Sequence, residues 1–584
     1  MKEKWVLRNP QADLKHITET FGVSELLAYI LAGKNLKTDE EIDAYLNPNA
    51  SQMHSWTLFK DMNKAVQIIK KAIDNGEKIC VVGDYDCDGI CSTTLLVTGI
   101  RELGGFVSYQ IPDRITDGYG ISFRIIDKAI EDGTDLIITC DNGIAAKEQV
   151  AYAKEKGLTV IVTDHHNVPE GELVAADAVV DPKQKDCDYP FEGICGAVVA
   201  AKLMEALYED YGFGSFIEKN IDIMALATVV DVMDLVDENR YIVKRGLELI
   251  TSSNRLGINA LKEATGLSDK PVSVYHLGFV LGPSLNSTGR LETADKGVEL
   301  LLCEDPKEAA KLAAYLAELN ASRKTMTENA KAEAVKLIEE SELKNDNVLV
   351  LYMPELHESL AGIVAGRLKE SFNRPAIVFT DAMDSEELLK GSARSVDEYN
   401  IYDGLTEVSD LLVKFGGHPK AAGLTIKRET LDELRKALNK NCKEDLVNME
   451  KKVTIDANIP MSSFSEALLE ELEKLEPCGN GNRNPVFVDR VTLKSAKRFG
   501  KESQYLSFIA MDDRGNGISE LKCFDDALMD AYKENYGDEE MVKLLAGRGD
   551  KVVNMIYRPQ INEFRGNRTL QFIVNNYSFP RRTP

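Results

Sequence analysis

Four short apolar runs end in the same kind of residue, and this repetition constrains the chain more than any other feature. KICVVG (78–83) runs into Asp84-Tyr85-Asp86-Cys87-Asp88-Gly89, and DLIITC (135–140) into Asp141-Asn142-Gly143. LTVIVT (158–163) runs into Asp164-His165-His166, and AVV (178–180) into Asp181-Pro182. Runs of this length, rich in Val and Ile, are expected as buried strands. Between them lie helical patterns such as FRIIDKAIED and the Gly-closed AAKEQVAYAKEKG. That alternation predicts a parallel sheet with helices on both faces. The carboxyl ends of such strands share one rim, where ligands bind. Six or more Asp and His side chains on one rim repel each other and are costly to desolvate unless cations neutralise them.

The donor set suggests which cations. Carboxylates with one or two imidazoles, and no thiolate requirement, point to Mn²⁺ or Mg²⁺ rather than structural zinc. Two such ions a few ångströms apart suit in-line displacement at phosphorus. A single Asp after a strand is also a common helix cap or turn former. Adjacent histidines after a strand Asp are rarer, and the chain has 7 His in 584 residues.

The remaining composition narrows the class. A chain this long should fold as about three to five domains. At 44% hydrophobic and 28% charged it is globular in character. No apolar run reaches the roughly 18 residues of a membrane span. The start, MKEKWVLRNP, lacks the apolar stretch of a secretory signal. Ten cysteines without a CxxC pair suggest a reduced, cytoplasmic setting. The net charge of −25 argues against whole-molecule steering of a polyanion, so any positive field must be local. Two stretches qualify. One carries Arg483, Arg490, Lys494, Lys497, Arg498 and Lys501 against Asp489 and Glu502. The other carries Arg548, Lys551, Arg558, Arg565, Arg568, Arg581 and Arg582 against Asp550 and Glu563.

Three further regimes follow along the chain. Asp305-Pro306 starts a helical stretch without Gly or Pro that continues to about Ser341. At 1.5 Å per residue it would reach about 50 Å, long enough to join two lobes. NVLVLYMP (347–354) opens a second α/β segment ending near Lys443, and from about Val453 strand patterns dominate. Five or six strands in that space suit a small closed barrel.

GDYDCDG, DNG, DHH and Asp181 resemble the motifs of the DHH phosphoesterase superfamily. GPSLNSTGRL (282–291), HESLAGIVAGRL (357–368), GSARS (391–395) and FGGHPKAAG (415–423) are similar to its RecJ branch, as are LEPCGNGNRNPVF (475–487) and INEFRGNRTLQFIV (561–574). The resemblance spans about residues 60–580. It implies an α/β fold: a parallel-sheet DHH domain and a second α/β DHH-associated lobe joined by a long helix, then a C-terminal OB-fold β-barrel. The corresponding boundaries are an N-terminal helical arm at 1–55, the DHH catalytic domain at 56–265 and a connecting segment at 266–343. The associated lobe follows at 344–446 and the nucleic-acid-binding barrel at 450–584.

The resemblance also assigns roles. It implies Asp86, Asp88, Asp141, His165 and Asp231 as ligands of two Mn²⁺ or Mg²⁺ ions, with Asp234 competing with Asp231. Asp231 is a lone acid on an otherwise apolar helix. His166 would face the scissile phosphate, with a structural role as the alternative; Asp84 and Asp164 would orient ligands from behind. Some superfamily members carry a metal-binding His where this chain has Val82, which puts one ligand in doubt. Substrate grip would come from Arg114, Asn286, Arg290, His357, Arg394 and His418, with Arg114 the leading candidate for a terminal phosphate.

The implied activity is a metal-dependent, single-stranded-DNA-specific 5′→3′ exonuclease of DNA repair and recombination, cytoplasmic and monomeric. A single-strand-binding protein and a helicase are the partners the resemblance implies. Tyr505, Phe508, Phe564 and Phe572 lie among the barrel strands, where most aromatics are expected to face the core. One alternative is a DHH phosphodiesterase of short oligonucleotides or cyclic dinucleotides, which would not need the appended barrel. The other is an inactive binding protein of the same fold, which would have no reason to keep all the rim acids.

Overall fold

The computed structural model describes residues 3–580 except 269, 383, 384, 501, 502, 513, 514, 516, 518, 525, 565 and 566; the side chains of 563, 564 and 567 are also outside the description. Lys501, Glu502, Arg565, Arg581, Arg582 and the Phe564 and Glu563 side chains therefore lie outside the described residues. The chain divides into two compact units. One comprises residues 53–233 and 242–451, the other residues 3–52, 234–241 and 452–584.

The first unit contains the expected parallel sheet. Its order is Phe106–Gln110, Lys78–Val82, Leu136–Cys140, Thr159–Thr163, Ala178–Val180. Val82 pairs with Thr139, Cys140 with Thr163, and Thr163 with Val180, so the strands end level and the residues after them meet on one rim. The helix Cys87–Glu102 is buried on nearly every side. Its small residues, among them Cys91, Ser92, Thr93 and Thr94, let the sheet and the helices Gly196–Tyr211 and Phe216–Val230 close around it.

The long helix spans Pro306–Glu339, with Asp305 capping it by accepting from the backbone N–H groups of Lys307 and Glu308. Its buried positions fall in two groups at i, i+3, i+4 spacing. Ala309, Ala313 and Leu316 belong to the half beside Leu256–Ala264 and Asp295–Leu301. Ala330, Ala334 and Ile338 share a core with Val364 and Leu368 of the helix Ala361–Phe372. That helix packs on a mixed sheet ordered Lys414–His418, Ala421–Lys427, Ser385–Arg394, Ala376–Ala382, Leu349–Tyr352. The helix thus joins two lobes of one unit.

The second unit also holds the stretch expected as an N-terminal helical arm at 1–55. It begins with a strand, Glu3–Leu7, that pairs with Lys451–Ile455, and the following helices share a core with the barrel. Leu27, Leu31 and Tyr45 belong to the same buried cluster as Phe487, Phe508, Tyr557 and Phe572. A sequence pattern cannot show this, because apolar residues over 400 positions apart carry no mark of their pairing. The barrel runs Ala457–Asn458, Phe487–Phe499, Tyr505–Asp512, Ser519–Cys523, Asn567–Ser578, Lys551–Phe564, and pairing of Phe487–Phe499 with Lys551–Phe564 closes it.

Candidate metal centre

Each rim residue is placed by its strand end. Asp86 caps the helix Cys87–Glu102, accepting from the N–H groups of Asp88 and Gly89 at 3.0 and 3.1 Å. Asp88 is buried in the first turn of that helix; its two oxygens accept from Gly196 N at 2.6 Å and Ala197 N at 2.8 Å. Gly196 is required there, since a Cβ would lie 2.8 Å from the Asp141 Cβ. Asp141 turns with φ +59°, and the neighbouring Asn142 ties the loop down by donating to Val82 O and Cys140 O. Asp231 ends the helix Phe216–Val230.

These side chains converge. His165 Nε2 lies 3.1 Å from Asp141 Oδ1, 3.5 Å from Asp88 Oδ2 and 3.7 Å from Asp231 Oδ2. Three overlapping groups bring their ligand atoms within 4.8 Å of one another: Asp84, Asp86 and Asp141; Asp88, His165 and Asp231; Asp141, His165 and His166. Asp84, expected behind the ligands, therefore stands among the converging acids. Asp164 lies behind the histidines: it accepts from His166 Nδ1 at 2.8 Å and from the backbone N–H of Ile144 and His165. Asp181 is buried at the edge of the sheet, with Oδ1 accepting from Lys183 N. Asp234, the competitor of Asp231, belongs to the other unit, where its carboxylate accepts from Asn480 Nδ2. Val82 is fully buried in the sheet core, so it supplies no substitute ligand.

The electrostatics leave the cluster incomplete. Burial, then repulsion from Asp88, Asp86, Asp84 and Asp231, pushes the Asp141 carboxyl well above its usual range. Burial and Asp86 do the same for Asp84, and burial and Asp88 raise Asp231 to about 9. Burial lowers His165, so its ring is neutral and offers no compensating charge. Burial also opposes a charge on His166, but its hydrogen bond to Asp164 and the fields of Asp164, Asp231 and Asp88 raise it to about 9. Asp231 Oδ2, Asp181 Oδ2 and His165 Nδ1 are buried without a hydrogen-bond partner among the described residues. Acids packed together with unsatisfied oxygens and a neutral imidazole are a donor set that fits Mn²⁺ or Mg²⁺.

Beside the acids lies a cluster of guanidinium groups. Burial, with the fields of Arg114, Arg323 and Arg394, lowers Arg290 to about 10, while Asp86 acts in the opposite direction. Arg290 donates to Ser359 O, and its neighbour Gly289 admits the Tyr85 carbonyl to where a Cβ would lie, 2.1 Å away. Arg114 sits over the Tyr85 ring, 4.8 Å from its centroid. It also lines a cavity of about 220 Å³ with Ser359, Lys390, Gly391 and Ser392. Sequence reasoning missed Arg323, which lies on the polar pattern of the long helix and gave no signal.

The other expected substrate residues have local partners. Asn286 Oδ1 accepts from Cys87 N at 2.7 Å, bracing the Asp86 loop. His357 Nδ1 accepts from Ser359 N and lies 2.8 Å from its hydroxyl. His418 lies exposed at the end of its strand, and no described contact joins it to the cluster.

In the barrel, Phe508 and Phe572 are core residues. Tyr505 instead joins Phe499 and the exposed Phe524, with centroid separations of 5.0–6.0 Å, and Lys522 Nζ lies 4.6 Å from the Phe499 centroid. Phe499 and Phe524 were not singled out from sequence. Several expected cations are paired: Arg483 with Asp456, Arg498 with Asp526, Lys551 with Asp550 and Arg568 with Glu470. The local positive field is therefore weaker than the residue count suggests.

The sequence matches the DHH family N-terminal domain over residues 78–228, the DHHA1 domain over 345–444 and the RecJ OB domain over 455–576. It is 34% identical over 599 residues to the single-stranded-DNA-specific exonuclease RecJ of Salmonella typhimurium, covering 99% of each chain. It is 35% identical to the Bacillus subtilis RecJ over 89% of this chain, and spans 65% of that protein's length. The crystal structure of RecJ from Thermus thermophilus in complex with Mn²⁺ aligns with a TM-score of 0.81 at 26% identity, over 99% of this chain and 80% of that one. The same protein in complex with Mg²⁺ aligns at 0.75.

Proposed function

Since this chain belongs to the RecJ family of single-stranded-DNA-specific exonucleases, we propose that it hydrolyses single-stranded DNA from the 5′ end, with two divalent cations at the acid rim. The observation that carries the reading is the adjacency of two opposite charge clusters. Buried acids that need cations stand beside half-buried guanidinium groups that can take an anion, and Arg290 feels both Asp86 and Arg114. A terminal phosphate beside a scissile diester supplies the anion.

Asp86, Asp88, Asp141, His165 and Asp231 would hold the metals, with Asp84 grouped beside Asp86 and Asp141. When bound, two such ions activate water and neutralise the charge that develops on phosphorus oxygens. Asp164 accepts from His166 Nδ1 and fixes the ring, which would face the scissile phosphate beside the rim. Asn286 and the Gly196 and Ala197 amides hold the acid-bearing loops in place. Arg114, Arg290 and Arg394 would read the 5′-phosphate; a fixed fork binds a terminal group with three oxygens better than an internal diester. The barrel, with its Phe499–Tyr505–Phe524 cluster, would add grip on a single strand, and a polymer substrate accounts for its presence. Repair and recombination, and a single-strand-binding protein and a helicase as partners, follow from the family alone.

The test is digestion of 5′- and 3′-labelled single strands, with a duplex control, in Mn²⁺ or in EDTA. Release of the 5′ label first, from single strands only and only with metal, is the expected result. Release of the 3′ label first would overturn the polarity.

A further inference from the structure

Two aromatic rings lie outside every core, in an unusual local backbone. Tyr275 and Phe279 are 63% and 64% exposed, and their rings stack at 5.0 Å between centroids with 22° between planes. They flank the start of a π-helical turn, Leu277–Leu281, inserted between the helical turns Val274–His276 and Gly282–Asn286. Such turns are rare and mark functional sites more often than chance. The inward face of this stretch is aliphatic and fully buried: Leu277, Leu281 and Leu285. The aromatic pair is thus the face left to solvent, where two large rings lose contact with the core without a structural return.

The stretch runs from these rings to the candidate centre without interruption. Gly282 packs on Val230, where a Cβ would lie 2.2 Å from Cγ2, and Val230 precedes Asp231. Ser284 Oγ lies 3.3 Å from Asn320 Nδ2, and Asn320 Oδ1 accepts from Arg323 Nε and a second guanidinium N–H. Asn286 then braces the Asp86 loop, and Arg290 follows. At 1.5 Å per residue, Phe279 is about 10 Å and Tyr275 about 16 Å along the helix from Asn286. That is a few nucleotides of strand.

We propose that Tyr275 and Phe279 form a stacking platform for unpaired nucleobases of the substrate strand, a few nucleotides from the scissile phosphate. The inference rests on the exonuclease reading above. Every base offers a π-face, so such a platform grips a strand without reading its sequence, and it excludes bases already paired in a duplex.

The test compares the full-length protein with Tyr275→Ala/Phe279→Ala, using a 5′-phosphorylated 12-mer and the same strand carrying abasic sites at successive positions. The double substitution should raise KM about 10-fold or more with kcat within twofold, because stacking contributes to strand binding rather than to bond breaking. Abasic sites at the positions facing the pair should cost the wild type the same factor and cost the variant nothing further. Tyr275→Phe/Phe279→Tyr should keep wild-type KM. An unchanged KM in the alanine variant, or abasic losses that simply add to it, would overturn the platform and leave the face to another partner. If the wild type digests no single strand, the exonuclease reading itself has failed, a result distinct from normal digestion that ignores the two rings.

Discussion

Two regions of this molecule bury charge, and they do so in opposite ways. In the second unit Arg240 is 2% exposed, yet its guanidinium donates to the carbonyls of Tyr45, Lys474, Leu475, Glu476 and Pro477 and lies 3.9 Å from the Tyr45 ring centroid. Its donors are occupied by the fold itself. At the rim of the first unit the acids face each other, and Asp231 Oδ2 is buried with no hydrogen-bond partner among the described residues. A buried charge completed by backbone holds a structure together, whereas one left incomplete implies that something else binds. The same contrast separates a staple from a site.

The largest effect is expected at Asp141. Asp141→Ala should lower turnover by about 1000-fold or more while DNA affinity stays within a few fold, because binding is spread over many phosphate contacts. Single-turnover cleavage and strand-binding titrations check both halves. Next in size is the staple. Arg240→Met takes a donor from five carbonyls, of which Leu475 and Pro477 keep Asn482 Nδ2, and should cost about 3–5 kcal/mol in denaturant unfolding of the second unit.

The rim predicts the reverse sign. In EDTA at neutral pH, Asp231→Asn should stabilise the chain by about 1–3 kcal/mol, because the half-buried acid must hold a proton that the unfolded chain gives up. A loss of stability there would mean that Asp231 is already satisfied. Smaller again, Arg114→Ala should narrow the preference for 5′-phosphorylated over 5′-hydroxyl strands by about 10-fold, and Arg114→Lys should restore it in part. Equal losses on both strands would assign Arg114 to the backbone generally. Phe524→Ala should weaken binding of long strands by about 1 kcal/mol and leave short ones unaffected.

The legible parts of the chain were those whose signal is local. Val- and Ile-rich runs ending in Asp or His mark strands and their rim, because burial and chemistry change within one residue. Asp231 stood out as a lone acid on an apolar helix. The staple was not legible: Arg240 reads as an ordinary helix cation in ENRYIV, and its acceptors are backbone carbonyls with no sequence signature. Arg323 is hidden for the same reason, on a helix with many polar residues. The union of the N-terminal arm with the barrel rests on Leu27 and Leu31 meeting barrel residues far along the chain. Counting cations overstated the positive field, since pairs such as Arg498 with Asp526 form only in the fold.

If divalent cations complete the rim acids, the chelator-stripped protein gains stability as Mn²⁺ is titrated back. Its thermal unfolding midpoint should rise by a few degrees and saturate, with no rise in Asp141→Ala. A wild-type midpoint indifferent to Mn²⁺, with strand cleavage persisting in EDTA, would contradict that completion.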